Sequence, residues 1–493
     1  MDKKRLLLNI CLCSLGILAG TAAASIKNSR TAFYVPPLKV IGDVKETVTL
    51  QNPDEMGRLE NITFQGENYR AAKLSDIIGR AKPEGLSTEL YMTSSDGFTA
   101  VIKKEETDAC YVSFSSRDGW TALNLRHPVS SNVKMLQEIV VVSDDAGEDY
   151  GFNIIGRDSV LAKFTPGRLY TGTFGEYPYF EGKASSQNAG KTYEASIYTR
   201  RRVFRLGDVT EVQNKDMVLV MGENGEYRMA DSDCLFEIKD NYISYIHPDT
   251  RDKIDRVKGV IVNPPSASIM DIYYDSLHYL ENGERVLVAL ADGFTYSRYE
   301  YAVANGYAPF LAGSRKAAKA SGVFPIRCNT AMASAITGKP PEENGVALKD
   351  NNSLKIPSII AEATRMKKQP AYLEGGETPI NAEIQAVEAI DKNTSGSTDD
   401  ELKDMAVSES FKNRDLLIIH FHGIGDRGEH YGELSRETMK AVSDFDRYMA
   451  EIAEKWQGRV ILAGSQGIRS GAPPGLQADF NSDSMFMPYL LLK

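Results

Sequence analysis

The chain has 493 residues, of which 42% are hydrophobic and 25% are charged, and its formal net charge is −10 at pH 7. This length predicts several domains, and the composition is typical of a globular protein. Because 67 acidic residues outnumber 57 lysines and arginines, and no dense basic stripe offsets them, we exclude nucleic acid as a partner.

The first 24 residues have the pattern of an export signal. Lys3-Lys4-Arg5 precede the apolar run LLLNICLCSLGILAG, and the small residues TAAAS follow it. This order is typical of a secretory signal peptide cleaved after Ala24, and the apolar run also has the length of an uncleaved N-terminal anchor. Both alternatives export the remainder. We therefore expect an extracellular or cell-surface protein of a bacterium, with membrane contact only through such an anchor.

The cysteines after the signal do not form a disulfide framework. Cys110, Cys234 and Cys328 are odd in number and lie far apart in the sequence. We expect Cys110 and Cys234 to be small buried residues, so that burial of apolar side chains stabilises the fold.

Residues 37–145 are rich in predicted strands. Segments such as KVIGDVKETVTL, STELYMT and QEIVVVSD lie between turn signals, including Asp96-Gly97. The ordered segments GDVKETVTL, ITFQGENYRAAKLSDII, SSDGFTAVI and PVSSNVKMLQEIVVV resemble the β-rich fold of molybdopterin-binding oxidoreductases of the sulfite oxidase type. The resemblance implies that fold but no molybdopterin, because Cys110 in TDACYVSF lies outside the cysteine motif that holds the cofactor metal.

A second β-rich module is predicted over residues 146–282. Its segments follow the order of similar segments in the first module, which indicates either a duplicated module or an unrelated β module. The matched pairs are LSDI (74–77) with LGDV (206–209), Asp96-Gly97 with Asn224-Gly225, Cys110 with Cys234, and EIVVV (138–142) with KGVIV (258–262).

Residues 283–493 alternate between strand, loop and helix patterns. The apolar runs RVLVALADG, DLLIIHFHG and GRVILAGSQG are separated by helical segments, as in a parallel sheet covered by helices. The predicted fold class is therefore multidomain, with N-terminal β-rich modules followed by an α/β domain that has a mainly parallel sheet flanked by helices.

Four motifs of this last domain occur in a characteristic order. They are the strand ending in Asp292-Gly293, the FP…TGKPPEENGV segment, HFHGI before a loop of the D-x-x-G-H type, and the strand before SQG. Together they resemble the alkaline phosphatase superfamily, nearest to its type I phosphodiesterase and nucleotide pyrophosphatase branch. In active members the resemblance implies a two-metal displacement at phosphate or sulfate esters, with zinc-like ions held by about six carboxylate and imidazole ligands.

The resemblance also implies a role for each position of that site. Asp292 matches the aspartate ligand of the first strand, and Cys328 occupies the nucleophile position, where active members have threonine or serine at a helix start. A one-residue shift of the loop would supply Asp426 and His430, whereas no histidine follows His430. In the direct alignment Gly425 and Ser465 stand where the resemblance implies aspartate ligands, and Glu429, Gln466 and Gln477 stand where it implies histidine ligands.

Two further motifs contain metal-ligating residue types. His420 and His422 of HFH are expected to support their strand and the surroundings of the site implied by the resemblance, rather than to bind a metal. The segment DKNTSGSTDDEL has oxygen-bearing side chains at spacings similar to those of a calcium loop, although Leu402 takes the place of the closing glutamate. A calcium loop and a solvated acidic turn both fit this segment, whose candidate ligands are Asp391, Asn393, Ser395 and Asp399.

Two functions are compatible with these patterns. The ligand positions favour an exported pseudoenzyme that has lost most metal ligands, holds no cofactor, and serves in ligand or partner binding or in scaffolding. The alternative is an active metal-dependent phosphodiesterase, phosphatase or sulfatase-like ester hydrolase with a rearranged site, in which zinc or another divalent metal is bound near Asp292. A redox role of the N-terminal module is a third, weaker class.

Overall fold

The structure is a computed structural model that describes residues 36–86, 88–147, 150–188, 190–213, 215–347, 351–465 and 479–493. The predicted signal or anchor over 1–24, and the two positions Gln466 and Gln477, lie outside these residues. No helix in the described part of the chain is long and apolar enough to span a membrane.

The chain divides into two compact units, unit 1 (1–83 and 87–141) and unit 2 (84–86 and 142–493), so the boundary predicted near residue 282 falls inside unit 2.

The first β-rich segment forms two five-stranded sheets, with the orders β2-β1-β10-β5-β6 and β3-β4-β7-β8-β9. Alternate residues of β5 are buried, as the alternating sequence predicts, and Gly97 takes a positive φ of 86° in the turn after it. Cys110 is buried in the core, and burial raises the pKa of its thiol to about 11. The elements are β1 (Leu38–Gly42), β2 (Val48–Leu50), β3 (Glu60–Phe64), β4 (Glu67–Lys73), α1 (Leu74–Ala81), β5 (Thr88–Ser94), β6 (Thr99–Lys103), β7 (Cys110–Ser115), β8 (Gly119–Asn124), β9 (Val133–Lys134) and β10 (Leu136–Ser143).

The next ten strands form two more five-stranded sheets, with the orders β12-β11-β20-β15-β16 and β13-β14-β17-β18-β19. These are the orders of the first two sheets with every strand number raised by ten. The first strand of each set pairs in parallel with the tenth and antiparallel with the second. The elements are β11 (Phe152–Ile155), β12 (Val160–Phe164), α2 (Pro166–Tyr170), β13 (Gly175–Asn188), β14 (Lys191–Phe204), β15 (Met217–Gly222), β16 (Tyr227–Asp231), β17 (Leu235–Lys239), β18 (Tyr242–Ile246), β19 (Lys253–Ile254) and β20 (Val257–Val262).

The last part of the chain forms an eight-stranded sheet with the order β21-β23-β28-β27-β22-β26-β24-β25. Among its described strands, β28 pairs antiparallel with β23 and β27, and the other neighbours pair in parallel. Most pairs in the other four sheets are antiparallel. The strands are β21 (Ala267–Ser268), β22 (Val286–Ala291), β23 (Ala318–Ser321), β24 (Pro370–Glu374), β25 (Val387–Glu388), β26 (Leu416–Phe421), β27 (Arg459–Gly464) and β28 (Phe486–Leu491).

Helices cover this sheet, and its central strand β22 is buried throughout. Leu287 and Ala289 belong to one apolar core and Val286 and Val288 to another, because successive side chains of a strand point to opposite faces. The several sheets and helices agree with the predicted multidomain organisation. The helices are α3 (Asp271–Glu281), α4 (Tyr296–Ala304), α5 (Pro309–Gly313), α6 (Cys328–Thr337), α7 (Pro341–Asn344), α8 (Ile359–Arg365), α9 (Asp399–Ala406), α10 (Gly423–Tyr431), α11 (Arg436–Lys455) and α12 (Ser482–Met485).

Candidate functional site

Polar side chains gather where four neighbouring parallel strands end. Asp292 follows β22, Glu374 is the last residue of β24, His422 follows β26, and Ser465 follows β27. Because parallel strands present their carboxyl ends at one edge of a sheet, this edge is where ligands bind in open α/β folds. We call it the carboxyl edge.

Asp292 is held by hydrogen bonds from its own loop and from the neighbouring strand end. The hydroxyl of Ser465 donates to Oδ1 of Asp292 at 2.5 Å, and the backbone N–H of Gly293 donates to the same oxygen at 3.1 Å. The N–H of Ser465 in turn donates to the carbonyl of Ala291 at 2.8 Å. Ser465 therefore presents a hydroxyl donor to Asp292, whereas the resemblance implies an acidic metal ligand at the position of Ser465.

The residues present do not fit a two-metal centre. Gly425 lies against Asp292 without a ligand atom of its own, and a Cβ there would come within 3.1 Å of Oδ2 of Asp292. Glu429 is half-buried, and burial together with the charges of Asp292 and Asp426 raises its pKa. Among the described positions that the resemblance matches to metal ligands, only Asp292 holds the residue that the resemblance implies.

The shifted pair, Asp426 and His430, lies on α10 and does not join Asp292 in a metal-ligand group. Partial burial and the charge of Asp292 raise the pKa of Asp426, while His422 lowers it. His430 is exposed and packs its ring against Tyr431, with ring centroids 4.5 Å apart. Within the described residues, neither belongs to a set of three close ligand atoms.

A buried cluster around Glu374 lies beside these positions. Oε1 of Glu374 is 2.5 Å from Nε2 of His422, both carboxylate oxygens are 3.1 Å from Nδ1 of His420, and the hydroxyl of Tyr372 donates to Oε2. The N–H of Gly375 adds a bond of 2.9 Å. Glu374 itself is fully buried. We refer to Tyr372, Glu374, His420 and His422 as the Glu374 cluster.

The electrostatics of this cluster favour a charged pair. Burial alone would raise the pKa of Glu374, but His420 and His422 outweigh it and lower that pKa to about 2. Burial alone would likewise lower the pKa of His422, but hydrogen bonding to Glu374 and nearby carboxylates raise it to about 9. Glu374 and His422 are therefore oppositely charged near neutral pH.

This pair predicts a specific pH dependence of stability. The pKa of His422 is raised above its ordinary 6.5, so its contribution is fully present below pH 6.5 and is lost as the pH rises through about 9. We expect wild type to lose on the order of 2 kcal/mol of this contribution over that range. Urea unfolding at pH 6 and pH 9.5 should show a smaller loss in His422→Gln, whereas exposed His278→Gln should match wild type. Equal losses in all three proteins would contradict the charged pair.

Cys328 connects the Glu374 cluster to Asp292. It is the first residue of α6, is half-buried, and places Sγ 3.6 Å from Nε2 of His420. Burial, followed by the charges of Asp292 and Glu374, raises the pKa of this thiol well above its usual value, so the thiol is protonated at rest. Two sets of potential metal-ligand atoms result, Asp292 with Cys328 and His420, and Glu374 with His420 and His422.

The predicted calcium loop is occupied by its own hydrogen bonds. Asp391 accepts from the N–H groups of Ser395 and Gly396 at 3.0 and 2.9 Å, and the side chain of Asn393 donates to Asp400 at 2.6 Å. Asp399 is buried at the start of α9. It accepts from the N–H groups of His422 and Gly423 at 3.1 and 3.0 Å, while burial raises its pKa to about 6. Asp399 thus fixes the end of β26.

Glu374 was not among the predicted site residues, although the sequence contains a signal for it. Glu374 ends one apolar run and His420 ends another, and the two residues are direct register partners on neighbouring parallel strands. The missing information was which strands are neighbours, because β24 and β26 are separated by more than forty residues that carry no pairing signal.

The chain matches no protein-family model and no curated protein. Similar solved structures include murine ectonucleotide pyrophosphatase/phosphodiesterase 5 in complex with AMP, at 16% identity and a TM-score of 0.30, and its human counterpart, at 17% and 0.30. Phosphonoacetate hydrolase from Sinorhizobium meliloti 1021 with phosphonoacetate follows, at 15% identity and a TM-score of 0.31. The matches cover 37–39% of this chain and 57–58% of those chains, little more than half their length.

These neighbours are members of the alkaline phosphatase superfamily, and the likeness to them is partial. They do not support the sulfite oxidase-type resemblance of residues 37–145, which stays a prediction.

Proposed function

We propose that this is an exported protein whose alkaline phosphatase-like domain has lost two-metal ester hydrolysis and binds a ligand or partner at the carboxyl edge. The observation that carries the proposal is the 2.5 Å hydrogen bond from Ser465 to Asp292. A carboxylate oxygen that accepts a short bond from a hydroxyl is less available to a metal ion, and Gly425 supplies no second ligand beside it.

The carboxyl edge retains features of a binding site. Polar and charged groups from four strand ends converge there, and the core beneath them is closely packed. A rigid sheet with its side chains fixed by hydrogen bonds is a suitable platform for selective binding. Export follows from the N-terminal sequence pattern, and an extracellular or cell-surface partner fits that location.

A second candidate is an ester hydrolase with a rearranged metal site. It is favoured by one observation, that Asp292, Cys328 and His420 place a carboxylate, a thiol and an imidazole within 4.8 Å of one another. These are ligand types that zinc accepts. The two candidates differ in whether Asp292 binds metal.

Zinc stoichiometry of the purified protein, measured after chelation and reloading, separates the two candidates. We expect fewer than two zinc ions per chain, the same value in Asp292→Ala, and no hydrolysis in a screen of phosphate and sulfate esters. The exposed carboxylate variant Asp249→Ala is the matched control. Two ions per chain that are lost in Asp292→Ala together with ester hydrolysis would contradict the proposal and establish the second candidate.

A further inference from the structure

We propose that Cys328, His420 and Glu374 form a nucleophile, a general base and a positioning carboxylate for metal-independent acyl transfer. Sγ of Cys328 lies 3.6 Å from Nε2 of His420, and Nδ1 of the same ring lies 3.1 Å from both carboxylate oxygens of Glu374. A nucleophile within reach of a base that a third group orients is the arrangement that activates serine and cysteine nucleophiles. This inference goes beyond the proposed binding function, and its main readout is acylation of Cys328 rather than zinc stoichiometry.

Glu374 fixes the tautomer that the reaction requires. Its carboxylate accepts a hydrogen bond from Nδ1 of His420, so in the neutral ring the hydrogen lies on Nδ1 and Nε2 is the acceptor that faces the thiol. Glu374 is itself immobilised by the hydroxyl of Tyr372 and the N–H of Gly375. His420 is only 1% exposed and lies within β26, so its ring cannot easily turn away from Cys328.

The start of α6 holds Cys328 in place and offers donors for an oxyanion. The hydroxyl of Thr330 donates to the carbonyls of Pro325 and Arg327 at 2.6 and 2.8 Å, which fixes the turn that enters the helix. The N–H of Thr330 donates to the side chain of Asn329, whereas the N–H groups of the two preceding residues belong to the first turn, where a helix provides no acceptor. Such donors stabilise the oxyanion of a tetrahedral intermediate.

The surrounding charges favour a carbonyl substrate over a phosphate. The charges of Asp292 and Glu374 both raise the pKa of the Cys328 thiol, and the charge of Asp292 also raises the pKa values of Asp426 and Glu429 on α10. These carboxylates outnumber His422, the protonated histidine beside them, and the excess negative charge disfavours a phosphate anion. An uncharged ester, thioester or amide carbonyl has no such penalty, so an acyl group is the electrophile that this site accepts.

The reaction balances without an added redox partner. As the sulfur of Cys328 bonds to the carbonyl carbon, its proton moves to Nε2 of His420. The bond from that carbon to the leaving group then breaks, and the leaving group takes the proton from Nε2, which leaves a thioester on Cys328. Water, deprotonated by the same nitrogen, hydrolyses the thioester to a carboxylic acid and restores the thiol.

Acylation of the full chain by p-nitrophenyl acetate, in the presence of a chelator, tests the inference. We expect one acetyl group on Cys328, located by mass spectrometry of proteolytic fragments, and none there in Cys328→Ala. His420→Gln should slow acylation by about 10²–10⁴-fold, the usual contribution of a general base. Cys234→Ala, which removes a buried thiol from the turn before β17, should acylate at the wild-type rate.

Glu374 is tested as a positioning residue through Glu374→Gln, which keeps the shape of the side chain. We expect a lower acylation rate constant with an unchanged final yield of one acetyl group per chain, whereas partial unfolding would lower the yield. Prior alkylation of folded wild type with iodoacetamide should block acylation, so the test does not require that every variant folds.

Three outcomes would overturn the inference. They are a folded protein without acetyl on Cys328, equal acylation rates in wild type and His420→Gln, and one zinc ion that survives chelation, is lost in His420→Gln and prevents acylation. The last result would assign His420 to a metal: zinc that also survives Asp292→Ala would lie with Glu374 and His422, and zinc lost in that variant would lie with Asp292 and Cys328. The first two outcomes do not affect the prediction that Asp292 binds no zinc.

Discussion

Replacing Glu374 with leucine is expected to lower the free energy of unfolding by about 3–5 kcal/mol, the usual cost of breaking a buried ion pair by removing one partner. Glu374 is fully buried, and its loss leaves His422, which is protonated near neutral pH, without its carboxylate. The hydroxyl of Tyr372 loses its acceptor at the same time. Each buried polar group that loses its hydrogen-bond partner adds a desolvation penalty, which leucine cannot offset.

Chemical denaturation of wild type and variant at pH 7 measures this effect, and Glu377→Leu is the matched control. Glu377 lies three residues away and is exposed, so its replacement should change the free energy of unfolding by less than about 0.5 kcal/mol. A Glu374→Leu protein as stable as wild type would contradict the description of the Glu374 cluster as a charged network.

Replacing Gly464 with alanine is expected to cost about 2–4 kcal/mol through a backbone clash. A Cβ at Gly464 would lie 1.7 Å from the carbonyl oxygen of Phe294 and 2.8 Å from its carbonyl carbon. Backbone atoms cannot swing aside as a flexible side chain does, so β27 and the loop after β22 must separate. The change would also move Ser465 away from Asp292.

Thermal unfolding compared with Gly313→Ala tests this prediction. A methyl group added at Gly313 would have no heavy atom within 4 Å, and this glycine has no positive φ, so alanine should be tolerated there. Unfolding temperatures that agree between the two variants would show that the contact between Gly464 and Phe294 is looser than the structure indicates.

Local pattern was sufficient to predict much of the fold. The apolar runs that end in Asp292-Gly293, HFHG and GSQG are the strands β22, β26 and β27, because continuous apolar segments mark strands buried on both faces. The segment pairs that suggested a duplicated β module fall in two sets of sheets with the same strand order. In each case the information lies within a few neighbouring residues.

The site depended on contacts between distant residues and was less predictable. Glu374 and His420 meet because β24 pairs with β26, and Cys328 reaches His420 from a helix start ninety-two positions earlier. Asp399 is a candidate calcium ligand by its spacing, with a solvated acidic turn as the alternative, and in the structure it accepts hydrogen bonds from the N–H groups of His422 and Gly423. The spacing of residues in the sequence does not show which hydrogen-bond donor binds each carboxylate in the fold.

The most direct test of the central claim is an anomalous-difference map at the zinc edge, from crystals of the protein soaked in zinc. We predict no pair of peaks within coordinating distance of Asp292, because Ser465 donates a hydrogen bond to that carboxylate and Gly425 offers no ligand. Two peaks bridged by Asp292, at the spacing of roughly 3.5–4 Å typical of two-metal sites, would contradict this prediction and restore a metal-dependent hydrolase.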